Sequence, residues 1–344
     1  MSSPQTFDPE TYDVIIIGSG MAGLAAAGVA RSAGRTVCVI DKGRRIGGRV
    51  STRRAGGFTF NHGAQFLTAR QPDFITACTA AQATGALRPW RVAGRDAFCG
   101  APTMRDLPAF LGEGLTIRQQ VEITGITRDD GLIMLHDADG NVACGRQVVV
   151  TAPAPQAARL LDPVAADLAA TARSAAYAPC WTGMYGFAPE DVSGMDVSGM
   201  DVSGMDFSGM AEPVSARNGP VGWACWEAQR PGAIASDAGA GLVVQAAPDW
   251  SEAELEQDAA SIAGVLLKAW QEMVGTTLPA PVYMAAHRWR YARVIRPADA
   301  TAPRQTADGM IGIAGDWTIG ARVEDAFMSG HRTMTSLLAM PATS

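Results

Sequence analysis

The sequence YDVIIIGSGMAG at residues 12–23 decides the fold that we expect for this chain. The apolar run 12–17 is typical of a buried strand, and the glycine-rich turn at 18–23 leads directly into an alanine-rich helix. A second apolar run, at 36–40, ends at an acidic residue. Glycines in this pattern allow a tight turn, close approach of the backbone to a pyrophosphate and close packing of helix on strand, while the acid suits a ribose diol. The pattern therefore predicts a dinucleotide site that contains Gly18, Gly20, Met21, Ala22, Gly23 and Asp41. The alternative is a glycine turn in an ordinary parallel sheet.

Two further segments narrow the choice of dinucleotide. The sequence KGRRIGGR lies at residues 42–49, and IGIAGD lies at residues 311–316. Together with the glycine turn, these segments resemble the FAD-binding pattern of the amine-oxidase-like flavoproteins. The resemblance implies that Arg49 contacts the FAD pyrophosphate and that Asp316 holds the ribityl chain, with Lys42, Gly48 and Gly315 as further cofactor contacts. The other arginines of residues 44–54 are interpreted as a solvated loop.

A closer resemblance extends along most of the chain. Five segments are similar to those of bacterial renalase-type proteins and follow one another in the same order as in that family. They are STRR at 51–54, NHGAQFLTA at 61–69, TAPAPQA at 151–157, AHRWRYAR at 286–293 and RVE at 322–324. This implies an α/β fold in which a Rossmann-like FAD-binding domain is interleaved with a smaller α+β substrate domain. The chain departs from the pattern at Asn61, where we expect an acid, and in a block of extra sequence near its middle.

The same resemblance assigns roles to individual residues. It implies that Ala64, Gln65 and Phe66 lie against the isoalloxazine ring, that Ile123 packs near the adenine, and that Val323 lends a backbone N–H to the flavin. Candidate substrate-binding residues are Arg322, Trp289, Trp223, Trp226 and His287. Their structural alternatives are core packing for the tryptophans, a surface position at a helix start for Arg322 and a structural role for His287. No catalytic side chain is expected, because the flavin carries the chemistry.

The domains are predicted to be interleaved in the sequence. The FAD-binding domain is predicted to comprise residues 8–70, 101–171 and 296–340, and the substrate domain residues 71–100 and 172–295.

Three local patterns support this arrangement. Residues 147–151 are typical of a fully buried parallel strand, and residues 121–126 with 131–136 alternate like a hairpin. In the substrate domain, a capping-box signature at Ser251 predicts a helix that continues to Gly275 and presents a core-facing apolar stripe.

Residues 191–210 contain four consecutive five-residue units, three DVSGM and one DFSGM. Ser-Gly in every unit favours turns and interrupts any long helix or strand. The period is too short for a solenoid, whose units normally have about 20 residues or more. We interpret the segment as an expanded surface loop in the substrate domain; the alternative is a partner-binding segment.

Composition and charge exclude several classes of function. The 344 residues have a net charge of -6, which argues against nucleic acid or an anionic membrane as a partner. Residues 14–30 carry no charge, but their glycines predict a strand, a turn and a helix rather than a membrane span. Residues 1–10 lack the pattern of a secretory signal, so we expect a cytoplasmic protein.

The six cysteines form no C-x-x-C pair and do not cluster with the four histidines, so a metal site is not expected. Their dispersal suits reduced thiols. Because no cysteine follows Cys225, we expect FAD to be bound non-covalently.

Two absences bear on the reaction. The chain has no second G-x-G-x-x-G for a separate NAD(P)H domain, and its two lysines, Lys42 and Lys268, do not match the lysine that many amine oxidases place near the flavin. The renalase resemblance implies oxidation of the 2- and 6-dihydro isomers of NAD(P)H to NAD(P)+, with O2 reduced to H2O2. The alternatives are an FAD-dependent amine or amino-acid oxidase and a non-catalytic flavoprotein.

Deletion of residues 191–210 tests the interpretation of the repeat. Because lengthening a surface loop costs little free energy, the deletion should leave the FAD content and the melting temperature nearly unchanged. Both are measured on the purified variant beside the full chain, and a large loss of turnover would instead make the repeat part of the active site.

Overall fold

The computed structural model describes residues 11–92, 94–192, 219–275 and 277–340. The repeat at residues 191–210 lies outside the described residues, apart from its first two positions.

The described chain contains both helices and strands. The helices are α1 (Met21–Ser32), α2 (Pro72–Ala83), α3 (Asp106–Leu111), α4 (Ala154–Leu161), α5 (Ala166–Arg173), α6 (Pro189–Val192), α7 (Pro248–Ala253), α8 (Ala259–Val274) and α9 (Val323–Leu338). The strands are β1 (Thr11–Ile17), β2 (Val37–Asp41), β3 (Arg53–Ala55), β4 (Phe58–Phe60), β5 (Leu87–Val92), β6 (Arg95–Gly100), β7 (Thr116–Gln119), β8 (Gly125–Asp129), β9 (Leu132–His136), β10 (Asn141–Val150), β11 (Ala176–Phe187), β12 (Val221–Trp226), β13 (Ala240–Ala246), β14 (Tyr283–Arg296) and β15 (Ile311–Ile313).

The chain divides into two compact units. Unit 1 contains the described residues of 1–48, 108–176 and 296–344, and unit 2 contains those of 49–107 and 177–295.

Unit 1 is built on a sheet in the order β7-β2-β1-β10-β9-β8, with β15 also paired to β10. Strands β7, β2, β1, β10 and β15 run parallel, as the predicted dinucleotide-binding pattern requires. Strands β8 and β9 form an antiparallel hairpin. The predicted buried strand at 147–151 is confirmed as the C-terminal part of β10. The first arm of the hairpin begins later than expected, at Gly125. The Val121 amide instead donates to the Asp41 carbonyl at 3.1 Å and so extends the pairing of the chain after β7 with β2.

Helices α1 and α9 of unit 1 pack closely against each other. A Cβ atom added at Gly330 would lie 1.8 Å from the carbonyl oxygen of Ala22, so only glycine allows this approach of the two backbones. Below the contact, both helices and the parallel strands form one apolar core, which includes Val14, Ile16, Ala26, Val39, Val149, Met334 and Leu337.

Unit 2 contains a four-stranded sheet in the order β12-β13-β11-β14. Neighbouring residues of a strand point to opposite faces, and the two faces of β11 pack differently. Tyr185 lies in a cluster with Trp226 and with Trp270 of α8, whereas Met184 packs with Phe58 and Phe60 of β4. The sheet is therefore covered by a helix on one face and by the hairpin of β3 and β4 on the other.

The units divide the chain at positions that differ from the predicted domain boundaries. Residues 49–70 and 101–107 were assigned to the FAD-binding domain on sequence, but they cluster with unit 2. Hydrogen bonds and packing within unit 2 account for the difference, since Phe60 packs on β13 and the Met104 amide donates to Asn61 Oδ1 at 2.8 Å. The functional assignment of the two domains stays a prediction.

The helix predicted to begin at Ser251 begins later, after Asp258. Ser251 lies in α7, where its Oγ accepts from the Trp181 amide at 3.1 Å instead of capping a long helix. Asp258 Oδ1 accepts from two first-turn amides of α8 at 3.0 Å each. The predicted end is confirmed, because Gly275 terminates α8 with φ of 68°.

The uncharged residues 14–30 form β1, the glycine turn and most of α1, as predicted. Within the described parts of the chain, none of the helices combines the length and the apolar character that crossing a bilayer requires.

Two glycines of α1 provide a matched test of this packing. A Cβ atom at Gly23 would lie 1.9 Å from the Gly18 carbonyl oxygen, whereas one at Gly28 would have no atom within 4 Å. Gly23→Ala should therefore lower the free energy of unfolding by about 1 to 3 kcal/mol through overpacking. Gly28→Ala should raise it by about 0.5 to 1 kcal/mol, because alanine restricts the unfolded chain and favours helix. Urea unfolding of both variants measures the difference, and equal effects would contradict the close approach at Gly23.

Candidate functional site

Each of the three glycines in the turn at 18–23 of unit 1 is required for a different structural reason. Gly18 has φ of 110°, and a Cβ atom there would lie 2.5 Å from Thr151 Oγ1. Gly23 allows α1 to approach the carbonyl of Gly18, as described above. Gly20 has no atom within 4 Å of its Cβ position, so the space in front of it is open. Open space at the second glycine is what a pyrophosphate requires to approach the backbone.

The N-terminus of α1 offers hydrogen-bond donors beside this space. Gly20 is the N-cap and supplies no side-chain cap to the first turn, which begins with the buried Met21 and Ala22. The Ser19 hydroxyl is fully buried and has no hydrogen-bond partner among the described residues. Uncapped amides and an unpaired hydroxyl at the positive end of a helix fit an anionic phosphate group.

Asp41 at the end of β2 is held by the turns around it. Its two carboxylate oxygens accept from the Ser19 amide and the Gly43 amide, each at 2.6 Å. Since a carboxylate offers about four lone-pair positions, each oxygen keeps one for a ribose hydroxyl. The neighbouring Lys42 points away to Glu122, with Nζ 3.0 Å from Oε1 and both side chains exposed.

The segment after Asp41 folds back onto the glycine turn. Gly47 donates its amide to the Ser19 carbonyl at 2.9 Å, and Gly48, with φ of 54°, brings its Cβ position to 3.4 Å from the Gly20 Cα. Ile123, the predicted adenine neighbour, is buried in unit 1 just before β8.

The C-terminal motif, residues 311–316, contains β15 and precedes α9. Gly315, with φ of 151°, donates its amide to Ser329 Oγ at 2.8 Å, and the buried Asp316 accepts from the Trp317 amide at 2.9 Å. Helix α9 begins at Val323, with Arg322 as its N-cap residue, so Arg322 does lie at a helix start.

Arg322 is oriented through its backbone by Asp325. Its amide donates to Asp325 Oδ2 at 3.0 Å. Burial raises the pKa of Asp325, and the hydrogen bond and charge of Arg322 oppose that rise.

Arg49, the predicted pyrophosphate contact, belongs to unit 2. Its Nη1 lies 3.4 Å and 3.2 Å from the carbonyl oxygens of Tyr291 and Ala292, and its guanidinium lies 5.7 Å from the centre of the Tyr177 ring. The structure thus connects Arg49 to β14 and β11, and its contact with phosphate stays a prediction.

Gln65 is buried in unit 2, with 6% of its surface exposed, and its amide group is fully used. Nε2 donates to the carbonyls of Asn61 at 2.7 Å and Gly63 at 2.9 Å, while Oε1 accepts from Trp223 Nε1 at 3.1 Å and from Arg230 Nη2. A side-chain amide has two donors and two acceptor positions, so this network occupies all four. A hydrogen bond from this amide to flavin is therefore excluded in this conformation, and the predicted cofactor contact applies only to the other atoms of Gln65.

His62, His287 and Trp289 form an aromatic group in unit 2. The His62 ring centre lies 5.1 Å from that of His287 and 5.3 Å from that of Trp289, and the latter two lie 4.4 Å apart. Trp289 Nε1 donates to the His62 carbonyl at 2.8 Å, which fixes the tryptophan ring. The structure thus brings together two of the five predicted substrate-binding residues, His287 and Trp289.

Both histidines of this group favour the neutral form. Burial, together with the charges of His287, Arg53 and Arg105, lowers the pKa of His62 to about 3, although a hydrogen bond with the Phe60 backbone opposes the shift. Burial and Arg53 also lower the pKa of His287. A protonated group in this place is disfavoured by the same two causes, desolvation and neighbouring positive charge.

The other predicted rings are placed in apolar clusters of unit 2. Trp223 is buried, and its ring packs beside Phe66 with the centres 5.6 Å apart, together with Val92 and Cys225. Trp226 is buried against Trp270 in the core under α8, which is the core-packing alternative named for it on sequence. Ala64 donates its amide to the Arg49 carbonyl at 2.9 Å and connects the two predicted cofactor segments of unit 2.

The sequence holds only weak signals for three residues of these networks: His62, Glu227 and Arg230. His62 lies inside the NHGAQF motif but has no separate pattern of its own. Glu227 and Arg230 form a pair of opposite charges three residues apart, a spacing that surface turns also show. Across the described ranges, no group of three or more His, Cys, Asp or Glu side chains is arranged to hold a metal ion.

Comparisons with known proteins agree on the fold. Residues 86–337 match the family model of flavin containing amine oxidoreductase, and residues 16–78 match that of an NAD(P)-binding Rossmann-like domain.

Matches to curated relatives are short. Putrescine oxidase of Kocuria rosea is 35% identical over 78 residues, which are 22% of this chain and 16% of that protein. All-trans-retinol 13,14-reductase of Homo sapiens is 39% identical over 59 residues, 17% of this chain and 10% of that protein. The alignments therefore span far less than two thirds of these relatives.

Solved structures match over nearly the whole chain. A protein assigned as protoporphyrinogen oxidase from Exiguobacterium sp. gives a TM-score of 0.69 at 15% identity, covering 99% of this chain and 100% of the other. Cyclohexylamine oxidase from Brevibacterium oxydans gives 0.66 at 14% identity, covering 95% and 98%. Identities this low show the fold alone, and the predicted α/β class with a Rossmann-like domain is confirmed.

The neutral state of His62 predicts a pH dependence of stability. In the unfolded chain the imidazole binds a proton below its ordinary pKa of 6.5, whereas the folded protein keeps it neutral down to about 3. The unfolded state therefore binds more protons in this window, and the free energy of unfolding should fall as the pH decreases from 6.5 toward 3. His62→Gln should make that fall shallower by up to about 1.4 kcal/mol per pH unit. Urea unfolding at several pH values compares the slopes, and equal slopes would contradict a neutral, buried His62.

Proposed function

The chain belongs to the flavin containing amine oxidoreductase family, and we propose that it is an FAD-dependent oxidase of dihydronicotinamide isomers. The substrates are the 2- and 6-dihydro isomers of NAD(P)H, which lose a hydride and become NAD(P)+. The two electrons pass to O2, which takes up two protons and leaves as H2O2. Within the family, this is the renalase-type activity that the sequence motifs favour.

Family membership implies a flavin cofactor, and unit 1 fits the dinucleotide part of FAD. The open space at Gly20, the uncapped start of α1 and the unpaired Ser19 hydroxyl suit its pyrophosphate. Asp41 keeps acceptor positions for a ribose, and the buried Asp316 is the proposed ribityl contact. When bound, FAD supplies the ring that accepts the hydride. We propose non-covalent binding, since no cysteine follows Cys225.

The electrostatic environment of His62, His287 and Trp289 is the observation that favours a dihydronicotinamide substrate over an amine. Burial and the positive charges of Arg53 and Arg105 keep His62 neutral. The same environment disfavours a protonated amine and favours an uncharged ring, particularly one attached to an anionic dinucleotide. Flat side chains suit such a ring by stacking. We propose that these three residues contact the dihydropyridine, and that Arg322 and Trp223 contribute to substrate binding as well.

The two lysines offer no group for amine-oxidase chemistry. Lys42 pairs with Glu122 and Lys268 with Glu272, with N–O distances of 3.0 Å and 3.7 Å, and all four side chains are more than half exposed. Hydride loss from a dihydropyridine restores an aromatic ring, so no lysine or other base is needed. The protein has only to orient the ring at near-attack distance.

An amine oxidase is the second candidate function. It is favoured by the match of residues 86–337 to the family model and by the similarity of a 78-residue stretch to putrescine oxidase. An amine substrate would have to lose its proton before it met the environment of His62, which predicts activity only toward high pH.

Anaerobic flavin reduction distinguishes these functions. The purified protein should be yellow and release intact FAD on heating. Borohydride-reduced NAD(P)+, which contains the dihydro isomers, should bleach the flavin with a rate constant of about 1 s⁻¹ or more. Ordinary 4-dihydro NADH should react far more slowly, because its hydride leaves from the wrong ring position.

Primary amines and amino acids serve as the competing substrates in the same experiment. Rapid reduction by an amine, with none by the dihydro isomers, would establish the amine-oxidase function instead. A flavin that no donor reduces would indicate a non-catalytic flavoprotein. Arg322→Ala should raise the apparent Kd of the isomers more than it slows reduction, as expected for a binding contact.

A further inference from the structure

Two charged residues of unit 2 hold both ends of the segment 61–65. Glu227 Oε1 accepts from the Asn61 amide at 2.6 Å, and its Oε2 accepts from Asn61 Nδ2 at 2.7 Å. Arg230 donates from Nη1 to the Gln65 carbonyl at 2.6 Å and from Nη2 to Gln65 Oε1. Both charged residues come from one short turn that follows β12, so a single element fixes the whole segment.

The two charges depend on each other because they are buried. Arg230 is 3% exposed, and its Nε lies 3.0 Å from Glu227 Oε2. Burial alone would lower the pKa of Arg230, but the Glu227 carboxylate, together with Cys225 and Cys99, outweighs burial and raises the pKa. A buried guanidinium requires such an ionised partner, since an unpaired charge in this place is strongly unfavourable.

Asn61 is suited to this carboxylate in a way that an aspartate is not. Its Nδ2 is the donor to Glu227, while its Oδ1 accepts from Thr52 Oγ1 at 2.7 Å and from the Met104 amide at 2.8 Å. An aspartate would keep the two acceptor contacts but would turn an oxygen toward Glu227. Two carboxylates would then meet at hydrogen-bond distance with one guanidinium to balance them.

We infer that Asn61, Glu227 and Arg230 form a positioning clamp in which Glu227 supplies the carboxylate that the family resemblance predicts at position 61. In this chain the carboxylate lies on the turn that holds the segment, and the Asn61 side-chain amide donates to it. The clamp fixes the Gln65 amide and the backbone of His62, whose carbonyl in turn orients Trp289. The expected effect on flavin reduction rests on the proposed function, whereas the effect on folding does not.

The test is a double-mutant cycle on the full-length protein. Asn61→Asp adds a second carboxylate, and Glu227→Gln removes the partner of Arg230, so each should lower the melting temperature by about 5 °C or more. The double variant N61D/E227Q restores one carboxylate and one amide, so it should recover about half or more of the loss. If N61D fails to fold, folding of the double variant supports the clamp. A double variant as unstable as the sum of the single ones overturns it.

Two further variants separate positioning from general stability. Arg230→Lys keeps the charge but cannot reach Gln65 with two fixed donors, so it should slow flavin reduction by about tenfold or more and alter the flavin absorption spectrum. Glu256→Gln is the matched control, because it breaks ion pairs with Arg288 and Arg290 at the surface of the same unit. It should change neither quantity.

The clamp and the proposed function fail in different ways. Should the flavin be reduced by amines instead of dihydro isomers, the proposed function is wrong, but the recovery of stability in N61D/E227Q still stands. Should reduction by the isomers occur while R230K retains the wild-type rate and spectrum, the positioning role is wrong and the proposed function stands.

Discussion

The approach of α1 to β1 at Gly23 is the contact on which unit 1 depends. Only a residue without a side chain can bring the helix backbone this near to the Gly18 carbonyl, since a Cβ atom would lie 1.9 Å from that oxygen. The approach aims the first turn of the helix at the open space beside Gly20. It also places Ala22 where Gly330 of α9 can meet it. The close approach at Gly23 thus positions the first helix for its contact with the last helix and for the candidate phosphate site.

The fold of unit 1 could be predicted because its determinants are local. The strand, the turn and the helix of residues 12–32 are adjacent in sequence, and each glycine has a steric reason that a pattern can represent. The start of α8 was predicted too early because Ser251 has a stronger partner in Trp181, 70 residues away. Strand β8 was predicted to begin at residue 121 but begins at residue 125 for a similar reason, since the Val121 amide donates to the Asp41 carbonyl. Long-range hydrogen bonds override local signals in both cases.

The candidate site in unit 2 was less accessible from the sequence. The motif around His62 and Gln65 could be recognised, but the residues that determine its geometry are Glu227 and Arg230, which lie 166 and 165 positions from their partners Asn61 and Gln65. Their identity follows only from the folded sheet, which brings the turn after β12 to the segment. The pattern suggested Trp226 as a substrate contact, but alternation along β12 turns its ring into the core. Neutral histidines likewise follow from burial and from neighbouring arginines, which a linear pattern does not contain.

The segment order of unit 1 has a consequence for biosynthesis. Strand β15 completes the parallel sheet beside β10, and α9 covers the core that β1 and α1 begin. These parts are separated by about 300 residues of chain. During translation, the sheet that begins with β1 therefore stays incomplete until β15, which starts at residue 311, has been synthesised. At about 5 to 20 residues per second, that interval lasts on the order of 15 to 60 s. Unit 2, whose described residues end at 295, can reach its full set of strands before unit 1 does. The apolar strands of the nucleotide-binding half are therefore the part of the nascent chain that stays exposed longest and has most need of chaperone protection.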